Sequence, residues 1–312
     1  MKNIHDFISL KPFSREELEG IMDLAETFED IARGKKQSNL LAGKVLATLF
    51  YEPSTRTRLS FETAMLRLGG QVLSTVDAFR TSSAWKGESI ADTVRTVQNY
   101  ADAIVIRHPE RGAAEVAAKY ADVPVFNGGD DANEHPTQGI LDLLTIRRER
   151  GTVDGLTIVM IGDNKHCRSN YSVADALAHY DARLILVNPP ELSMRPEAVD
   201  LVRSKGHLTV EETSDLPAAL KQADVMYIVR VQKERYADPA EYERAKGLYK
   251  VDRAMLEAAG RPITVLHPMP RVDELAVDVD DYPGACYFRE SFNGVLIRMA
   301  LLSLVLGKAQ LR

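Results

Sequence analysis

The 312-residue chain carries 39 Lys and Arg against 45 Asp and Glu, a formal charge of −6, which argues against a general nucleic-acid binder but allows a locally positive pocket for a small anion. Two cysteines, Cys167 and Cys286, make no disulfide framework and fit a reducing compartment. Charges recur from Lys2 to Glu19 without a signal-peptide core, and no run nears the ~20 apolar residues of a membrane span, so a cytoplasmic globular protein is expected, with neither nucleic acid nor membrane as partner.

Ser14-Arg-Glu-Glu17 is a capping box, and Leu18, Ile21, Met22, Ala25 and Phe28 form a helical face predicted to stop at Gly34. Lys44 to Tyr51 reads as a buried strand. From Thr55 the spacing changes to that of a helix, with Phe61, Ala64, Met65 and Leu68 on one face and Gly69-Gly70 closing it. Short apolar runs follow at Gln71–Val76, Ala103–Arg107 and Val123–Asn127, separated by helices at about Ser89–Tyr100 and Gly112–Tyr120. The polar stretch Arg147 to Gly155 reads as a domain boundary. Beyond it, strands are predicted at Leu156–Ile161, Ala182–Val187, Val225–Val229 and Ile263–Leu266. Helices are predicted at Ser169–Tyr180, Arg195–Lys205, Leu216–Lys221 and Arg253–Ala259. An apolar helix, Gly294–Leu306, ends the chain. The alternation marks an α/β protein of two doubly wound domains with mostly parallel sheets, linked by helices that include the last one. Two domains also suit the length, since single cores stop growing near ~250–300 residues.

The most informative stretch is Pro53-Ser54-Thr55-Arg56-Thr57-Arg58, set between strand and helix. Ser54 is a good N-cap, and the free N–H groups of a helix N-terminus carry partial positive charge. Two arginines and three hydroxyls added there make a site for a phosphate-sized dianion, whereas a single arginine would read as merely solvated. In open α/β sheets ligands bind beyond the carboxyl ends of strands, and basic or hydrogen-bonding groups recur there. These are Glu52 and the Ser54 stretch, Arg107-His108, His135-Pro136-Thr137-Gln138, Gly162-Asp163 with Arg168, Arg230 with Gln232 and Arg235, and His267-Pro268-Met269-Pro270-Arg271. Taken singly, each has a plain reading. Arg107 fits a surface ion pair, His135 a satisfied loop histidine, His267-Pro-Met-Pro a rigid turn, and Arg80 to Ser89 with Lys86 and Trp85 an exposed loop. The spacing G-x-G-x-x-G, a nucleotide P-loop, H-E-x-x-H and a Gly-x-Ser-x-Gly elbow do not occur, so neither a cofactor nor a metal is expected.

Taken in order, Ser-Thr-Arg-Thr-Arg after a strand, Arg107-His108-Pro109, His135-Pro-Thr-Gln138, Arg230-Val-Gln-Lys-Glu-Arg235 and His267-Pro-Met-Pro-Arg271 closely resemble the carbamoyltransferase family, in its aspartate-specific branch, over nearly the full length. The ornithine branch would carry His-Cys-Leu-Pro, and neither cysteine lies in the corresponding stretch. Met269 stands where the pattern usually has leucine, a volume-conserving change.

The resemblance implies transfer of a carbamoyl group from carbamoyl phosphate to L-aspartate. It assigns Ser54, Thr55, Arg56, Thr57 and Arg107 to the phosphate, and Arg107, His135 and Thr57 to the carbamoyl carbonyl. Gln138 holds the carbamoyl amide, with backbone contacts from Met269 and Pro270. Arg168 and Arg230 hold the aspartate carboxylates beside Gln232, and Glu52 bridges to Arg168 and Arg235 on closure. Ser82 and Lys86 come from a neighbouring subunit, so a homotrimer with shared active sites is implied. The implied carbamoyl phosphate domain is 1–148 with the C-terminal helix 292–312, and the aspartate domain is 149–291. Association with regulatory chains or a dihydroorotase stays open.

Overall fold

A computed structural model describes residues 4–233, 236, 240, 242, 243 and 246–311. The chain divides into two compact units, Met1–Leu141 with Phe292–Arg312, and Asp142–Ser291. Among the described residues no helix is long and apolar enough to cross a membrane.

The first unit opens with α1 (Arg15–Thr27) and α2 (Glu29–Ala32). The capping box is complete, with Ser14 Oγ accepting from the Glu17 N–H and Glu17 accepting from the Ser14 N–H at 2.9 Å. Such a cap contributes about 1 kcal/mol. The predicted single helix is broken at Phe28, and only then does the chain reach the left-handed Gly34.

A parallel sheet follows, built of β1 (Val45–Phe50), β2 (Gln71–Val76), β3 (Ala103–His108) and β4 (Val125–Asp130) in the order β2-β1-β3-β4. Between the strands run α3 (Thr55–Arg67), α4 (Ala78–Thr81), α5 (Ile90–Val97) and α6 (Ala113–Tyr120). On one face Ala47, Leu49, Ile104, Ile106 and Val125 pack with Val94, Ala114 and Ala117. The edge beside β4 is covered by the N-terminal segment. The Phe7 N–H donates to the Val125 carbonyl at 2.9 Å and Phe7 accepts from the Asn127 N–H at 3.0 Å. The predicted strand at Val123 starts two residues later and continues past its predicted end at Asn127 through Gly128-Gly129-Asp130. Gly128 is needed there, because a Cβ would stand 3.2 Å from the Ile106 carbonyl oxygen on β3.

Helix α7 (Pro136–Arg150) ends within the polar stretch 147–155, and Arg147, Arg148 and Arg150 in its last turn suit the negative end of the helix. The second unit then holds β5 (Thr157–Ile161), α8 (Arg168–Leu177), β6 (Arg183–Val187), α9 (Pro196–Ser204), β7 (Thr209–Thr213), α10 (Leu216–Leu220), β8 (Val225–Ile228), α11 (Arg253–Ala258) and β9 (Thr264–Leu266). Its sheet is parallel in the order β7-β6-β5-β8-β9. Val159, Ile161, Ile185, Met226, Ile228 and Val265 form its core with Leu216, Leu256 and Tyr287. Strand β7 escapes the sequence reading because it is a polar edge strand, Thr-Val-Glu-Glu-Thr, with only Val210 buried. The last helix, α12 (Tyr287–Val305), begins seven residues before the predicted Gly294.

In each sheet the strand order reverses once, between β1 and β3 in the first unit and between β5 and β8 in the second. Crevices at such reversals are where open α/β sheets bind ligands.

Candidate active site

The first cluster stands at the β1/β3 reversal. Pairing persists past the strand ends, since the Tyr51 N–H donates to the Arg107 carbonyl at 2.9 Å, and this holds the two exits side by side. Ser54 sits at the N-cap of α3 with extended backbone (φ −156°, ψ 109°), but its hydroxyl makes no capping bond. The helix start therefore presents backbone N–H groups and a hydroxyl together. Thr55 and Arg56 are exposed, whereas Thr57 is buried with Oγ1 at 3.1 Å from His135 Nε2. That contact joins two motifs 78 residues apart. Arg107 donates from Nη1 to the Gly128 carbonyl at 3.2 Å and lies 3.5 Å from a Glu52 carboxylate oxygen. Arg58 turns sideways, with Nη1 at 3.2 Å from Glu62 and 3.3 Å from Ser74 Oγ. Of the two arginines counted in the anion motif, Arg58 is thus engaged along the flank of the helix.

His135 precedes α7 and Gln138 lies in its first turn, both buried. Beneath them, buried Arg298 of α12 donates to Thr137 Oγ1 at 2.9 Å and stacks over Phe61 at 5.0 Å. This brace of the His-Pro-Thr-Gln turn was missed from sequence. The signal was present as a lone arginine inside an otherwise apolar helix. His108 is buried. Its ring lies 4.6 Å from Tyr51, its Nδ1 accepts from the Glu110 N–H, and burial holds its pKa below the ordinary value.

Ser82 and Lys86 lie on a separate segment. What reads from composition as an exposed loop is α4 followed by a 3₁₀ turn, Ser83–Lys86, capped by Ser82 Oγ accepting from the Ala84 N–H at 3.2 Å. Lys86 is exposed, and Trp85 beside it retains 76% of its accessible surface.

The second cluster stands at the β5/β8 reversal. Gly162 follows β5 with φ +114°, and a Cβ there would lie 2.2 Å from the Val229 carbonyl oxygen. Asp163 is fully buried and accepts from the His166 N–H and Nδ1, both at 3.0 Å, and from the Gln232 N–H at 3.4 Å. It ties the segment that leads to Arg168 to the segment that carries Arg230 and Gln232. Arg168 is buried as the first residue of α8, and Arg230 and Gln232 are half-buried. Arg235 lies outside the described residues.

Met269 and Pro270 belong to a braced turn after β9. Met269 has φ +56°, and its N–H donates to His267 Nδ1 at 2.8 Å. His267 Nε2, which by this hydrogen-bond pattern carries the proton, faces Glu274 Oε1 at 2.6 Å. Glu274 also accepts from the Val272 and Asp273 N–H groups. The rigid-turn reading and the ligand-presenting reading of this motif are therefore compatible.

Burial alone would raise the Glu274 carboxyl, but the hydrogen bond from His267 and the backbone N–H groups outweigh it, holding it below its ordinary value of 4.5. A carboxyl lowered on folding adds stability above its unfolded value and loses that addition as pH falls through the folded value. Thermal unfolding of the parent and of Glu274→Gln should therefore differ at ~pH 6 and converge toward ~pH 3. A gap independent of pH would contradict this.

The fold and its two switch-point clusters define a two-domain α/β protein whose strand ends present cationic and hydroxyl groups. The chain belongs to the aspartate/ornithine carbamoyltransferase family. The family's carbamoyl-P binding domain matches residues 5–148 and its Asp/Orn binding domain matches residues 154–305. The chain is 52% identical over 307 residues, 98% of each chain, to the aspartate carbamoyltransferase catalytic subunit of Methanosarcina acetivorans. It superposes on the catalytic subunit of M. jannaschii aspartate transcarbamoylase with a TM-score of 0.88 at 45% identity, covering 97% and 98% of the two chains. The Trypanosoma cruzi aspartate transcarbamoylase crystallised with carbamoyl phosphate and aspartate gives 0.91 at 37% identity, covering 96% and 97%.

Proposed function

We infer that this chain transfers the carbamoyl group of carbamoyl phosphate to the α-amino group of L-aspartate, yielding N-carbamoyl-L-aspartate and phosphate. The observation that carries this reading is the union of Thr57 and His135 at 3.1 Å at the mouth of the α3 N-terminus, beside Arg107. Family membership and the substrate complexes of the T. cruzi relative support it.

In this reading Ser54, Thr55, Arg56, Thr57 and Arg107 grip the phosphate, and Gln138 holds the carbamoyl amide. Backbone groups of Met269 and Pro270 add contacts. Arg168 and Arg230 take the two carboxylates of aspartate, with Gln232 beside them and Lys86 joining from a neighbouring subunit. The neutral amine attacks the carbonyl carbon. Charge then develops on the carbonyl oxygen, where Arg107, His135 and Thr57 stabilise it as fixed donors. The new C–N bond forms as the bond from carbon to the bridging phosphate oxygen breaks, and the departing phosphate takes the amine proton. No side-chain base or cofactor is required, and proximity supplies much of the rate.

Residues 1–148 with 292–312 form the carbamoyl phosphate domain in this reading, and 149–291 the aspartate domain. The assembly is a cytoplasmic homotrimer with Ser82 and Lys86 crossing between subunits, to which regulatory chains or a dihydroorotase can add. Exposed Leu73 and Val76 on edge strand β2, with Phe79 and Trp85, support a subunit contact on this side of the first unit.

The test is phosphate release from carbamoyl phosphate with aspartate, ornithine or putrescine as acceptor. Aspartate alone should support turnover, and equal rates with a diamine would overturn the reading. Shared sites make a further prediction. Inactive Lys86→Ala and Arg56→Ala chains, unfolded, mixed and reassembled, should regain a measurable part of the parent activity through hybrid interfaces. No recovery in trimers shown by mass to be mixed would refute sharing.

A further inference from the structure

Three asparagines of the second unit play no part in the mechanism above, yet they are almost wholly buried: Asn164 at 0%, Asn170 at 0% and Asn188 at 4% exposure. They are joined head to tail. Asn170 Nδ2 donates to Asn164 Oδ1 at 2.6 Å, and Asn164 Nδ2 donates to Asn188 Oδ1 at 2.7 Å. Asn188 Nδ2 donates to Ser193 Oγ at 3.0 Å, and Ser193 Oγ donates to a Glu212 carboxylate oxygen at 3.2 Å. Every donor points the same way, from α8 through the end of β6 toward the carboxylate on β7, an order in which each bond polarises the next.

We propose that Asn164, Asn170 and Asn188 are positioning residues that aim Arg168 at the acceptor's carboxylate. The inference rests on the aspartate-binding role given to Arg168 above. Asn164 belongs to the segment between β5 and α8, Asn170 to the first turn of α8 two residues beyond Arg168, and Asn188 directly follows β6. The relay therefore locks the start of α8 to the neighbouring strand in both position and rotation. Apolar packing would fix the distance but not the rotation, because only hydrogen bonds are directional. As a stability device the arrangement is poor. Three amides are desolvated, and Asn170 Oδ1 accepts no hydrogen bond from the described residues. As an aiming device it fits, since a guanidinium on a flexible stem grips a carboxylate bidentately only if its root is held still.

The test measures kinetics and thermal unfolding of Asn164→Ala, Asn188→Ala and the double variant. Each single change should raise the KM for aspartate about five- to tenfold, the scale of one buried hydrogen bond, and leave the affinity for carbamoyl phosphate unchanged. The double variant should be no worse than either single one, because one relay is broken only once. Unchanged aspartate KM, a parallel loss for both substrates, or effects that multiply would overturn the proposal. Should the core variants fail to fold, Ser193→Ala removes the half-buried outer link and is read the same way, a roughly twofold rise supporting the relay and no rise refuting it. A parent chain without aspartate-dependent phosphate release would instead sink the functional reading itself, and the same assay reveals this before any variant is made.

Discussion

Replacing Arg56 by alanine is expected to lower kcat/KM about a thousandfold while leaving the unfolding temperature within about 2 °C of the parent. The asymmetry follows from placement. Arg56 is the second residue of α3 and is exposed, so the core loses nothing when its side chain goes. In the proposed phosphate-binding role, the reaction loses a fixed cation where the leaving dianion gathers charge, and a charge-assisted donor cannot be replaced there by solvent. Arg58→Ala makes the control. Its guanidinium is occupied with Glu62 and Ser74, so that change should move activity several-fold at most. Stopped assays of phosphate release with both variants decide the matter. Near-normal turnover in Arg56→Ala, or equal losses in the two, would show that the helix start is no anion site.

Gly162→Ala should be strongly damaging to the second unit. The added Cβ would stand 2.2 Å from the Val229 carbonyl oxygen, at a φ of +114° that L side chains rarely adopt. Either strand β5 or strand β8 must shift, and their ends lead to Arg168 and Arg230. A cost of about 3 kcal/mol is expected, or a fall of roughly 6–12 °C in unfolding temperature. Aspartate KM should rise in whatever fraction still folds. Calorimetry within a degree of the parent would mean that the close approach of Gly162 to Val229 can relax without cost. Gly155→Ala is the comparison that isolates the backbone strain, since its φ is +77° but its Cβ would meet nothing within 4 Å.

Much of this was legible in the residues because buried parallel strands are apolar runs and helix starts carry polar caps. Lys44 to Tyr51 and Val225 to Val229 were found within a residue of their true limits for that reason. Thr209–Thr213 was not, since an edge strand needs only alternate burial and its outward residues were free to be charged. Gly128-Gly129-Asp130 misled in the opposite direction, as glycine signals a turn unless a neighbouring strand demands its smallness. At the candidate site, the groups proposed to meet ligand stood out because several cations and hydroxyls crowd short stretches at strand ends. Their supports did not. Arg298 under Thr137, Glu274 behind His267 and the three asparagines meet their partners only after folding. No short window of sequence contains both ends of such bonds.

The two thiols offer a practical consequence. Cys167 and Cys286 are both buried in the second unit, and burial pushes both thiol pKa values up, so neither presents a thiolate to reagents at neutral pH. Alkylation of the native protein should accordingly be slow, and its rate should report opening of that unit alone. The first unit is silent by composition. A mass-resolved labelling time course with and without aspartate would then test whether the substrate tightens that unit, without any engineered probe.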